Sequence, residues 1–154
     1  MRFIVVVAVS GLLWGAGVSC GKPGPRPPSA RTITSLTIIV VPPGGGQANS
    51  TFLPDGTVRG GHLSGDPRPF VYQDEKHIDS ATVKAIWSAA RALGDTLLAA
   101  NVIPDSTYEG YVVLQVTYDR EPQANLAWPF RGAHADARVR ALAALLMEHR
   151  TGGW

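Results

Sequence analysis

Cysteine is almost absent from this sequence: its 154 residues contain one, Cys20. A lone sulfur excludes an intrachain disulfide framework and a zinc site built on cysteine, which leaves four histidines and twelve carboxylates as the material for any metal centre. Charge is scarce as well, at 17% of residues against 45% hydrophobic, which is enough apolar material for one core and too little chain for a second. The first 31 positions hold no Asp or Glu, yet they hold Arg2, Lys22, Arg26 and Arg31. With those four set aside, Thr32 to Trp154 keeps 10 basic residues against 12 acidic ones, so the overall charge of +2 becomes −2 in the body of the chain. A body without an excess of cations has little with which to neutralise phosphates, and nucleic acid is not an expected partner.

Catalytic signatures are also missing. Gly44-Gly45-Gly46 is followed by Gln47-Ala48 rather than Lys-Ser or Lys-Thr, so there is no P-loop. Gly61-His62-Leu63-Ser64-Gly65 has the spacing Gly-x-x-Ser-Gly in a Gly-rich setting that reads as a turn, not the strand-to-helix elbow of a serine hydrolase. No His-Glu-x-x-His occurs. Two His-x-Asp triplets do, His77-Ile78-Asp79 and His134-Ala135-Asp136. Two imidazoles and two carboxylates could ligate a metal such as zinc, and a small metal-dependent hydrolase using His77, Asp79, His134 and Asp136 is the enzymatic alternative. The simpler reading makes each Asp a helix cap and each His an exposed lead-in. No cofactor is expected.

What the sequence does have is a distinctive amino-terminal segment. Met1-Arg2 precedes an uncharged run of 17 residues, Phe3 to Ser19, which is short for a membrane-spanning helix and suits the hydrophobic region of a secretory signal. The run closes on Gly17-Val18-Ser19-Cys20, which resembles the lipobox of bacterial lipoproteins; Gly17 departs from the Leu usual at that position. The resemblance implies that residues 1–19 are a signal peptide and that Cys20 is the first mature residue, carrying acyl chains. Two or three chains hold a protein on a bilayer where one binds only marginally. Gly21 in place of Asp implies sorting to the outer membrane if the source is Gram-negative. The competing readings are a secreted protein with an incidental cysteine, and an uncleaved helix associating through Gly11-x-x-x-Gly15. Residues 20–31, with four prolines between Gly21 and Arg31, read as a tether, extended enough at ~3.1 Å per residue to hold a domain about 30 Å from the bilayer.

Residues 32–154 read as a single α+β domain: a small, mainly antiparallel sheet of four to five strands with two helices on one face, in ββαββα order. Thr32 to Val41 is β-branched almost throughout and predicts an interior strand. Pro54-Asp55-Gly56 marks a hairpin between Ser50–Leu53 and Thr57–Arg59, and Phe70–Tyr72 a short edge strand. Asp79 caps a helix whose apolar face runs Val83, Ile86, Trp87, Ala90, Leu93, Leu97 and Leu98, with a bend or an end at Gly94. Tyr108–Asp119 alternates as a half-buried strand and turns at Arg120–Pro122 into a partner that buries Leu126, Trp128 and Phe130. Ala135–Arg150 predicts a closing helix with Val139, Leu142, Leu145 and Leu146 inside. Trp87 and Trp128 follow core periodicities, leaving Trp154 free.

Leu36–Val41, Pro54–Val58, the helix from Val83 to Leu98, Tyr111–Thr117 and the Leu-rich closing helix, in that order, resemble the emfourin family of small bacterial metalloprotease inhibitors and its lipoprotein relatives. That resemblance implies a non-enzymatic, protein-binding domain. None of the family's inhibitory residues maps onto a motif here. The expectation is thus a lipid-anchored protein of the cell envelope that binds a protein, either a protease or a component of an envelope assembly, with a ligand-free structural spacer as the remaining alternative.

Overall fold

The computed structural model describes residues 31–63, 74–94, 109–120 and 123–151. The β-branched segment becomes β1 (Ile33–Val41), followed by β2 (Gln47–Phe52), β3 (Thr57–Leu63), β4 (Asp74–His77), α1 (Ser80–Arg91), β5 (Tyr111–Tyr118), β6 (Ala124–Pro129) and α2 (Ala137–Glu148). The six strands form one antiparallel sheet in the order β4-β3-β2-β1-β5-β6. The architecture is α+β as expected, but among the described residues it has six strands rather than four or five, in the order ββββαββα. The additional strand is β4, whose residues Asp74-Glu75-Lys76-His77 are all exposed. Lacking an apolar face, it carries no hydrophobic alternation, and it is held to β3 by backbone ladder bonds. Phe70–Tyr72, expected to form the edge strand, lies outside the described residues.

β1 is interior, between β2 and β5, as its apolar content requires. One face of the sheet contributes Leu36, Ile38, Val40, Phe52, Val58, Val112, Leu114, Val116, Leu126 and Trp128 to a single buried cluster, joined by Ile86, Trp87, Ala90 and Leu93 of the α1 region and by Val139, Leu142, Ala143 and Leu146 of α2. Trp87 and Trp128 are therefore core residues, each 8% exposed. Phe130 is not: it falls after Pro129 has ended β6 and is the one large hydrophobic residue, among those described, that stands exposed.

The other face carries a transverse polar row, one residue from each strand in register: Glu75, Arg59, Thr51, Thr37, Gln115 and Asn125. Neighbours bond in pairs, Arg59 Nε to Glu75 Oε2 at 2.8 Å, the Thr37 and Thr51 hydroxyls at 3.0 Å, and Gln115 Nε2 to Asn125 Oδ1 at 3.1 Å. A one-residue slip of any strand would bring its apolar set to this face, so the row and the core specify the same register.

The β2–β3 connection forms as the Pro54-Asp55-Gly56 signature predicts. Gly56 N donates to Leu53 O and Leu53 N to Thr57 O, while Gly56, at φ +92°, takes the left-handed position that closes such a hairpin. Gly110 has a different reason to be glycine. At φ +83°, an added Cβ would stand 2.6 Å from Val41 O, because the chain enters β5 directly against the end of β1.

Both described helices begin on the aspartates that the sequence marks. Asp79 Oδ1 accepts from Ala81 N at 2.9 Å and Thr82 N at 3.0 Å, and Asp136 Oδ1 accepts from Arg138 N at 2.8 Å. Ile78 and Val83, the staple pair, both pack against the core cluster. α1 stops at Arg91, three residues before Gly94, so the helix ends rather than bends; Leu97 and Leu98 lie outside the described residues. α2 is shorter than Ala135–Arg150 at both ends, and Leu145 is half-buried where full burial is the sequence expectation.

The tail after α2 folds back on the sheet. Thr151, 8% exposed, bonds through its backbone N–H and carbonyl to the Ser50 hydroxyl on β2, and Lys76 Nζ of β4 donates to Arg150 O at 2.8 Å. Gly60 makes room for it: a Cβ there would collide with Thr151 Oγ1.

Candidate functional site

The helix caps decide what the two His-x-Asp triplets can do. Arg138 Nη1, in the first turn of α2, donates to Ala92 O just past the end of α1 at 3.3 Å, while Lys76, just before α1, reaches Arg150 just past α2. The helices therefore run antiparallel, and their N-terminal caps lie at opposite ends. Twelve helical residues extend about 18 Å, which separates Asp79 from Asp136 by roughly that length. The histidines are as far apart. His77 ends β4 at one edge of the sheet and His134 follows β6 at the other, across five strand spacings or about 24 Å. Among the described residues no group of three or more His, Cys, Asp and Glu side chains is placed to hold a metal ion.

Each aspartate is instead committed to its helix. The Thr82 hydroxyl, 2.6 Å from Asp79 Oδ2, and the Thr82 and Ala81 N–H groups hold the Asp79 carboxyl below the usual carboxylate range. Asp136 is held lower still, first by the Arg138 guanidinium and then by the Arg138 N–H. Neither is a proton carrier near neutral pH. The Gly61–Gly65 segment also departs from its sequence reading, since Gly61 and His62 belong to β3 rather than to a turn; Ser64 and Gly65 lie outside the described residues, as do Cys20 and Trp154.

One concavity stands out among the described residues. At the edge where β6 meets α2, a pocket of about 290 Å³ opens between Trp128, Phe130, His134, Arg140, Ala143 and Met147. Its floor is core material and its rim is not. Trp128 reaches it from the buried face of β6, and the His134 ring stands edge-on to Trp128 at 5.8 Å. His134 Nδ1 accepts from Asp136 N at 3.1 Å, which leaves Nε2 as the ring's donor. Phe130 is carried to the mouth by a tight turn, with Gly132 N donating to Pro129 O at 2.9 Å and Phe130 N to Gly110 O at 3.1 Å.

Arg140 supplies the charge. Its Nη1 donates to the carbonyls of His134 and Ala135, both at 2.7 Å, so the guanidinium is fixed by main chain rather than by a carboxylate. The first turn of α2 holds no acidic residue, and basic side chains there oppose the helix dipole. Arg138 is neutralised by Asp136 at 2.7 Å; Arg140 donates to no carboxylate among the described residues. The pocket is thus an apolar recess under a positive rim. Of its residues only His134 belongs to the candidates marked in the sequence, and Trp128 is read there as core. Two arginines in the opening turn of a helix are the signal that points to it.

No protein-family model matches this chain, and no curated protein matches it. Among the described residues no helix is long and apolar enough to cross a membrane.

Proposed function

We propose that this chain is a lipid-anchored protein of the bacterial cell envelope, held by acyl chains on Cys20 and a proline-rich tether over residues 20–31, whose domain binds another protein and does no chemistry. The observation that carries the binding role is the recess between β6 and α2 with exposed Phe130 at its mouth. An apolar hollow with a few fixed polar groups is the usual form of a recognition site, and an exposed aromatic ring beside it is the kind of anchor on which binding energy concentrates. The chemistry of the rest supports a binder: the two aspartates that could act as bases are held as helix caps, and the two histidines sit at opposite edges of the sheet. The emfourin-like order of elements makes a protease the first class of partner to test.

The experiment has two parts. Mass spectrometry of the native protein should find an acylated Cys20, and Cys20→Ser should move the protein from the membrane to the soluble fraction. A photo-crosslinking residue at position 130 should capture one partner in stoichiometric amount from intact cells. An unmodified Cys20 in soluble protein removes the anchor; the absence of any crosslinked protein removes the binding role.

A further inference from the structure

The binding role leaves open what chemistry the recess would select, and its geometry narrows the choice. The volume of about 290 Å³ lies at the lower end of ligand pockets, room for one large side chain and not for a long acyl chain. The walls offered by Trp128, Phe130, Ala143 and Met147 are apolar. At the rim, the guanidinium of Arg140 spends Nη1 on two backbone carbonyls, and this immobilises it. The opposite edge, Nε with Nη2, has no acceptor among the described residues. That edge is a planar two-donor fork of the width of a carboxylate, and the entropy of ordering it has already been spent. The acidic cap of α2, Asp136, is paired with Arg138, so among the described residues no carboxylate offsets the charge of Arg140.

We propose, building on the protein-binding role, that this recess takes the carboxyl-terminal residue of a partner protein: a large apolar side chain enters between Trp128, Phe130 and Met147, and its free α-carboxylate meets the Nε/Nη2 edge of Arg140. A terminal residue is the one place in a protein where a carboxylate sits two bonds from the Cβ of an aromatic or aliphatic side chain. An internal Asp or Glu cannot place its own apolar group in the hollow while presenting the charge at the rim.

The test uses the full chain in lipid nanodiscs and two probes, Ala-Ala-Phe with a free carboxylate and the same tripeptide as its amide, measured by calorimetry. The free acid should bind at least about tenfold more tightly than the amide, as charge-assisted paired hydrogen bonds require. Arg140→Lys keeps the charge but loses the fork, and should bring the acid down toward the amide while leaving the amide unchanged. Phe130→Ala, at an exposed position that does not threaten folding, should weaken both probes alike. Equal binding of acid and amide, or insensitivity of the acid to Arg140→Lys, overturns the proposal; so does binding of hexadecanoate by a protein that ignores both peptides. If the peptides fail while a crosslinker at position 130 still captures a partner, the terminal-residue chemistry falls and the binding role stands. If both fail, both fall.

Discussion

The Ser50 hydroxyl lies 3.2 Å from the backbone nitrogen of Thr151 and 3.2 Å from its carbonyl oxygen, accepting from the first and donating to the second across 101 positions of sequence. One side chain in the middle of β2 thereby satisfies both main-chain groups of a residue beyond the end of α2. Ser50→Ala leaves a buried donor and acceptor without partners, and should cost about 1–3 kcal/mol. Urea unfolding of the variant should show a lower midpoint with an unchanged slope. Gly60→Ala should release the same tail by filling the space Thr151 occupies, and combining the two should cost less than the sum of the singles because both act on one contact.

Gly110→Ala should destabilise on two counts. The position has φ +83°, and the new Cβ would stand within 3 Å of main-chain atoms of Val41, Pro42 and Pro43, which cannot swing aside as a flexible side chain could. Backbone strain of this kind costs about 1–3 kcal/mol, and the loss should sit at the top of that range. Thermal unfolding followed by circular dichroism measures it.

Leu114 is fully buried on β5, opposite Ile38 on one side and Leu126 on the other. Leu114→Ala should cost about 2–5 kcal/mol, the range for truncating a packed core leucine. A value near 1 would mean that the sheet and helices close over the gap.

The acid limb of the stability profile should come from the helix caps and the β2–β3 turn. Asp136, Asp79 and Asp55 all have depressed pKa values in the folded chain, from bonds with Arg138, Thr82 and Thr57 respectively. A depressed carboxylate contributes its stabilisation in full above the unfolded value, about pH 4, and loses it as pH falls through the folded value. The Tm should hold steady above about pH 5 and decline below about pH 4. Asp136→Asn, which still caps a helix but does not titrate, should flatten part of that decline.

Much of the fold is legible in the sequence because periodicity and burial coincide there. Val112, Leu114, Val116 and Tyr118 alternate and all turn inward; Asp79 and Asp136 stand where a first turn needs an acceptor, and Pro54-Asp55-Gly56 spells its turn. β4 is illegible for the opposite reason. Its four residues bury nothing, so its membership in the sheet is decided by main-chain pairing with β3. Phe130 misleads by continuing the alternation of Leu126 and Trp128 one step beyond the point where Pro129 removes a donor and the strand ends. The recess is harder to read still, because it is assembled from a strand end, a turn and the outward side of a helix. Only Arg138 and Arg140, in a turn where an acidic residue would be the favourable choice, hint at it from sequence.

The bond between Ser50 and Thr151 also orders events in time. A ribosome delivers β1 and β2 together, yet β1 cannot gain its second neighbour until β5 emerges some seventy positions later, and the cover over Gly60 is supplied by Thr151, 101 positions beyond the Ser50 it bonds. With so many partners distant in sequence, folding should be slow and cannot finish before Thr151 has been made. Until then the inner face of the first hairpin waits bare, and a chain truncated before Thr151 should spend longer in the reach of chaperones and proteases.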